Sequence, residues 1–290
     1  MKVLVTGAGA QIGGLLATRL VALGYQVVAL GHRTPAPEAL IGKAERIQAD
    51  LAESLAHLPP VDGIVHGAAR TPATADGAAS DYVRSNIEGM ERLIEYARRV
   101  GVKYLLNLST ISVYGQLPSG ELTEDAPFYA PDIYGATKYV AERLLAASCA
   151  DVPGLSLRLP GVLAPRNFGP WIGKTLRHAL DGSPITIYNP QAPFNNVIDV
   201  EELARFSNHI LKTQPASIGV VNWGADQPST IRGVIDLILQ GSNSRSLVTE
   251  GVAAKPSFWI NTDRLRRQCR FQPAPTHEMV GRYVRATVGA

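Results

Sequence analysis

Cysteine is nearly absent: Cys149 and Cys269 are the only two in 290 residues. That excludes a disulfide framework and a Cys-x-x-Cys metal site, and it suits a reduced compartment, so a cytoplasmic location is expected. Long hydrophobic runs are missing too. Stretches such as residues 27–30 and 105–106 fall far short of the ~20 residues of a membrane span, so no membrane partner is expected. Residues 1–5 resemble the start of a leader, but Gly7, Gly9, Gln11, Gly13 and Gly14 interrupt it before an apolar stretch develops. Charge is scarce, at 18% of residues and a net +3. The one basic cluster, Arg264, Arg266, Arg267 and Arg270, is broken by Leu265, Gln268 and Cys269. It reads as a solvated helix face, so nucleic acid is not an expected partner. The six histidines show no ligand spacing, and no metal is expected.

What is present is a folding composition: 46% of residues are hydrophobic. A chain of this length buries roughly three quarters of its unfolded surface without a staple. In the first half, short apolar runs alternate with helical periodicity. Strands are predicted over 2–5, 26–30, 46–49, 63–66, 103–108 and 155–159. Helices are predicted over 12–23, 86–100 and 134–149, with Ile87, Met90, Ile94 and Ala97 on one face of the second. Continuous apolar strands alternating with helices predict a parallel sheet covered on both faces. From 160 to 193 Pro and Gly thicken and the rhythm fades. Residues 1–160 are therefore expected to form one domain. Residues 161–290 form mainly a smaller lobe, with about 194–213 returning to the first.

Residues 3–14 read VLVTGAGAQIGG. Gly7 and Gly9 lie between the first strand and a helix opened by Gln11 and Ile12, with Gly13 in its first turn. Glycine permits the tight turn, and the helix N-terminus offers free N–H groups to a pyrophosphate. The second strand runs into Gly31, His32 and Arg33. A carboxylate there would bind a ribose 2′-hydroxyl; none is present, and Arg33 can pair with a 2′-phosphate, so NADP is preferred with NAD as the alternative. Asp50, beside Leu51, either accepts a hydrogen bond from an adenine amino group or caps a helix from Leu51, or both.

Tyr134 and Lys138 lie one helical turn apart and share a face. A phenol has pKa ~10, and lowering it to ~7 takes about 4 kcal/mol, which the lysine ammonium and a cationic nicotinamide are expected to share. Thr110, at the end of the fifth strand, supplies a hydroxyl for a substrate oxygen. This set, together with the run 62–69, Asn86, Tyr114-Gly115, the segment 158–162 through Pro160, and the segment 194–200, resembles the extended short-chain dehydrogenase/reductases, the NAD(P)-dependent epimerase/dehydratase family. The resemblance spans nearly the whole chain. It implies a Rossmann-type doubly wound α/β sheet with a smaller C-terminal substrate-binding lobe. It also implies Tyr134 as acid/base, Lys138 as its pKa partner and ribose ligand, Thr110 as substrate hydroxyl, and Ala68, Ala69, Asn86 and Pro160 beside the cofactor. A homodimer through the helices at 86–100 and 134–149 is implied as well. Asn86 reads equally well as a helix cap, and His66 as a packing residue.

The chain departs from the family in places. Ala10 replaces a glycine, with a methyl that could tighten the turn. Ile111-Ser112 follows Thr110 where sugar 4,6-dehydratases carry Asp-Glu, so elimination of water lacks its acid and base. Asn195 is neutral where nucleotide-sugar epimerases place an arginine; Arg166 or Lys255 are the candidate substitutes for gripping substrate. The expected activity is hydride transfer between a secondary alcohol and a ketone on a sugar-like or small polar molecule. An epimerase and a non-catalytic NADP sensor are the alternatives.

Overall fold

The computed structural model describes residues 1–72, 78–117, 119–216, 219–252 and 256–289. They divide into two units. The first comprises residues 1–116, 127–158 and 203–221. It is built on a seven-stranded sheet ordered β12-β7-β5-β4-β1-β2-β3. These strands are β1 (Lys2–Thr6), β2 (Gln26–Gly31), β3 (Glu45–Gln48), β4 (Gly63–His66), β5 (Tyr104–Thr110), β7 (Gly154–Leu159) and β12 (Gly219–Asn222). β1 runs parallel to β2 and β4, with Val3 opposite both Val27 and Gly63. All seven residues of β5 are buried, as expected for a strand covered on both faces; Tyr104, Leu105, Leu106 and Leu108 supply apolar surface, while Asn107 and Ser109 are hydrogen-bonded to Ser156 and Glu142. Strand order reverses between β1 and β4, so a crevice opens beyond their carboxyl ends, the usual ligand position of such sheets.

Helices α1 (Gln11–Ala22), α3 (Gly89–Val100) and α4 (Ile133–Ala147) belong to this unit. α3 buries Met90, Leu93, Ile94 and Ala97 in a core shared with Leu4, Ile64, Leu105 and Leu145. Gly101, at φ 69°, ends it in the left-handed conformation that lacks a steric cost only for glycine. The helix predicted from residue 86 begins earlier. It runs from α2 (Ala79–Tyr82) through a π-helical turn at Val83–Glu88 into α3. Ser, Asp, Tyr and Val at 80–83 are weak helix formers, so propensity hid the first turns. No helix follows Asp50; residues 51–53 form a turn.

The second unit comprises residues 117–126, 159–202 and 222–290. Its strands form four two-stranded pairs. β6 (Gly120–Leu122) pairs with β15 (Phe258–Ile260), and β8 (Gly161–Leu163) with β11 (Val197–Asp199). β9 (Ile185–Ile187) pairs with β14 (Val248–Glu250), and β10 (Pro193–Phe194) with β13 (Ser229–Thr230). Helices α5 (Trp171–Asp181), α7 (Ile231–Gly241), α8 (Asp263–Cys269) and α9 (Thr276–Val288) pack among them. α6 (Val200–Thr213) starts in this unit's segment and joins the first from Leu203. In the basic cluster Arg264 pairs with Asp125 at 2.7 Å, Arg266 with Asp226, and Arg267 with Asp263 at 3.7 Å. Among the described residues no helix is long and apolar enough to cross a membrane.

Candidate active site

The glycine turn at the end of β1 is held by close backbone approach. Gly7 lies at φ 76°, and a Cβ there would sit 2.8 Å from the Ala68 nitrogen. A Cβ on Gly13 would come within 2.2 Å of the Gly7 carbonyl oxygen, so the start of α1 presses directly on the turn. Ala10 is exposed in extended conformation, φ −91° and ψ 157°, and its methyl does not tighten the turn as expected. No side chain caps α1. A helix N-terminus, with its partial positive charge, therefore stands at the glycine turn, and the cradle fits a dinucleotide pyrophosphate. Gln11 and Ile12 form that first turn.

Thr6 ties this end of the sheet together. Its hydroxyl accepts from the Ala68 N–H at 3.2 Å and shares a hydrogen bond with His66 Nδ1 at 2.8 Å. Burial, helped by the nearby Lys138 charge, drives the His66 pKa down to about 3. His66 is thus a neutral packing residue. Ala68 and Ala69 are half-buried beside this strand end.

At the end of β2 the absent acid has a steric reason. A Cβ on Gly31 would meet the Thr34 carbonyl oxygen at 2.4 Å, so a larger side chain requires the following loop to move. His32 and Arg33 are exposed. Asp50 accepts from the Ala52 N–H at 2.9 Å and from Arg84 at 2.7 Å. Burial raises its carboxyl, but these two bonds and the charges of His32 and Arg84 outweigh it and hold the pKa below the ordinary value. Asp50 caps a turn and not a helix. Leu51 is a core residue.

Thr110 is the last residue of β5, where its hydroxyl accepts from the Ser112 N–H at 3.1 Å and hydrogen-bonds Tyr134. α4 reaches this close because Gly135 lacks a side chain: a Cβ there would lie 2.2 Å from the Ser112 carbonyl oxygen. Asp132 caps α4 by accepting from the Gly135 N–H at 2.7 Å. Thr110, Tyr134 and Lys138 are thereby brought together. Their electrostatics differ from expectation. Burial raises the Tyr134 phenol, opposed by the Thr110 hydrogen bond and reinforced by Asp132. Burial also drives the Lys138 ammonium down to about 8, with Glu142 countering. A lysine that is itself desolvated is a poor source of charge for its neighbour, so the pair alone does not produce the depressed phenol expected from spacing.

Asn86 is not a helix cap. It sits inside the π-helical turn, accepting from the Arg70 N–H at 2.7 Å and donating to the Arg70 carbonyl at 3.2 Å and to Thr137 Oγ1 at 3.0 Å. The extra residue of a π turn rotates Asn86 toward α4. It thus braces the helix that carries Tyr134 and Lys138. Behind them lies a network that spacing did not single out. Glu142 accepts from Arg158 at 2.7 Å and from the Ser109 hydroxyl at 2.5 Å. Arg158 also donates to the Tyr114 hydroxyl at 2.7 Å. The signal was visible: 134, 138 and 142 continue one helical stripe.

The substrate candidates lie in the second unit. Asn195 is only 2% exposed, and its amide is spent internally. It donates to the Ala225 and Ile260 carbonyls at 3.2 and 2.8 Å and accepts from the Ile260 N–H at 2.8 Å. It braces backbone where an arginine would reach out. Arg166 is exposed, with φ 58°. Pro160 is buried next to β8. Lys255 lies outside the described residues.

The fold and site define an NAD(P)-dependent enzyme built on a doubly wound dinucleotide-binding sheet. The model of the NAD dependent epimerase/dehydratase family matches residues 3–224, and the chain belongs to this family, the extended short-chain dehydrogenase/reductases. A 2-alkyl-3-oxoalkanoate reductase from Stenotrophomonas maltophilia (strain K279a) is 36% identical over 169 residues, covering 54% of this chain and 50% of the reductase. The chain thus matches about half the length of that relative. An uncharacterized UDP-glucose epimerase from Bacillus subtilis (strain 168) is 25% identical over 301 residues, covering 94% of this chain and 93% of the epimerase. Among solved structures, UDP-glucuronic acid 4-epimerase from Bacillus cereus in complex with NAD matches with a TM-score of 0.80 at 23% identity, covering 98% of this chain and 99% of that one. At that identity the likeness carries the fold alone.

Proposed function

We propose that this protein is an oxidoreductase that interconverts a secondary alcohol and a ketone on a small polar substrate, with Tyr134 as the acid/base. The observation that carries the reading is the Thr110–Tyr134 hydrogen bond with Lys138 one turn further on the same helix. Bound NAD(P) supplies the hydride donor or acceptor and, when oxidised, a positive charge. Tyr134 gives its proton to the carbonyl oxygen during reduction, and Thr110 donates a hydrogen bond that stabilises the developing alkoxide. Lys138, held in a fully buried position, orients the phenol and the ribose. The glycine turn and the uncapped start of α1 hold the pyrophosphate. Arg33, exposed and without a described partner, supports a preference for NADP. The similarity to the Stenotrophomonas reductase supports net reduction.

The second reading is an epimerase that oxidises and re-reduces one centre. The Bacillus subtilis epimerase, matched over nearly its full length, favours it. Steady-state absorbance at 340 nm with NADPH and a panel of ketones separates the two. Consumption of NADPH supports the reductase; isomerised product without net change in absorbance supports the epimerase. Tyr134→Phe is expected to lower kcat by about 10²–10⁴ with KM little changed. Retention of full activity would refute the role given to the phenol. Pairing of two copies through α3 and α4, where Val140 is 38% exposed, is the proposed assembly, checked by light scattering.

A further inference from the structure

The second unit contains a cavity of about 530 Å³ that the proton-transfer group does not explain. The size suits a small organic ligand. One wall is a single face of α5, where Trp171, Lys174 and His178 are spaced i, i+3, i+7. Ile187, Phe194 and Ile235 make the facing walls apolar. Trp171 packs edge-on against Phe194, centroids 5.0 Å apart, yet remains 40% exposed. It thus offers aromatic surface to an occupant.

Two polar features give the cavity a chemical preference. Asn196, in its wall, donates through Nδ2 to the Phe258 carbonyl at 3.1 Å, which sets the orientation of the amide. Its Oδ1 is buried without a hydrogen-bond partner. A buried acceptor of this kind calls for an O–H or N–H. Lys174 is the sole lysine or arginine among the described lining residues, and it makes no ion pair with another described residue. One ammonium balances one carboxylate. A diphosphate would leave a charge uncompensated against apolar walls and would find no arginine fork.

We propose that this cavity binds a monocarboxylate with a flat apolar body and one hydrogen-bond donor. The carboxylate pairs with Lys174, the body lies against Trp171, Phe194 and Ile235, and the donor reaches Asn196 Oδ1. That this acid is the substrate rests on the ketone–alcohol reading above; that the cavity binds it does not.

The test is intrinsic tryptophan fluorescence of the full chain, titrated with 4-hydroxyphenylpropionate, 3-phenylpropionate and UDP. The hydroxylated acid is expected to quench saturably, and the acid lacking the donor to bind several-fold more weakly. Lys174→Gln is expected to weaken binding about tenfold. Thr175→Trp, which fills the cavity from α5, is expected to abolish it, with circular dichroism confirming an unchanged fold. Tighter binding of UDP than of either acid, or acid binding indifferent to both substitutions, would overturn the assignment. Turnover is read separately. Acid binding without reduction of any keto acid removes the ketone reading and leaves the cavity standing. Reduction with binding indifferent to Lys174→Gln and Thr175→Trp removes the cavity assignment alone.

Discussion

Lys138 should destabilise the fold it serves. The residue is 2% exposed, and burial lowers its pKa from 10.5 to about 8. At ~1.4 kcal/mol per pH unit, that difference costs roughly 3 kcal/mol of folding free energy at neutral pH. The sign follows from proton counts. Between pH 8 and 10.5 the unfolded lysine still holds its proton while the folded one has lost it, so stability from this group rises with pH across that window. Below pH 8 both states are protonated and the full penalty applies. Lys138→Met keeps the length and removes the charge. It is expected to be more stable than wild type at pH 7 by up to about 3 kcal/mol, and the advantage should vanish near pH 10.5. Other groups titrate here as well: burial pushes the Cys269 thiol up to about 12, which lowers stability once its unfolded counterpart ionises. Such terms are common to both proteins and cancel in the difference. Urea unfolding at pH 7, 8.5 and 10 measures that difference. A variant less stable than wild type at pH 7, or a difference that does not shrink with pH, would refute the reasoning. Activity should be lost in the same variant, separating what the site needs from what the fold needs.

Asn86→Ala removes three hydrogen bonds, two of them to the Arg70 backbone, while the Thr137 hydroxyl keeps the Ile133 and Tyr134 carbonyls; it should cost about 2–4 kcal/mol in urea unfolding. Glu142→Gln breaks the buried pair with Arg158; a loss of about 3–5 kcal/mol is expected, together with a further fall in the Lys138 pKa, read from lysine titration by NMR. Arg33→Ala should raise KM for NADPH about tenfold and leave KM for NADH unchanged in steady-state kinetics.

Much of the first unit was legible because its signals are local. Continuous apolar runs marked the strands, and the glycine spacing after β1 marked the cradle. A separation of four residues placed Tyr134 and Lys138 on one face. Each depends on chain geometry over a turn or two, which the order of residues determines. The second unit was far less legible: its strands are two to three residues long and pair with partners up to about 140 positions away, so no periodicity accumulates.

Only the tertiary structure decided the rest. Whether Tyr134 rises or falls in pKa depends on how much water reaches it, and desolvation arises from all the elements packed around a group. Asn195 could have reached a ligand until the Ile260 and Ala225 backbones came to lie beside it. Asn86 became a brace because a π turn, invisible to composition, rotated it toward α4. Sequence by itself determined which chemical groups were on hand and which helices and strands would carry them. Packing determined their charge, their partners and whether they faced solvent, because these are properties of neighbours distant along the chain.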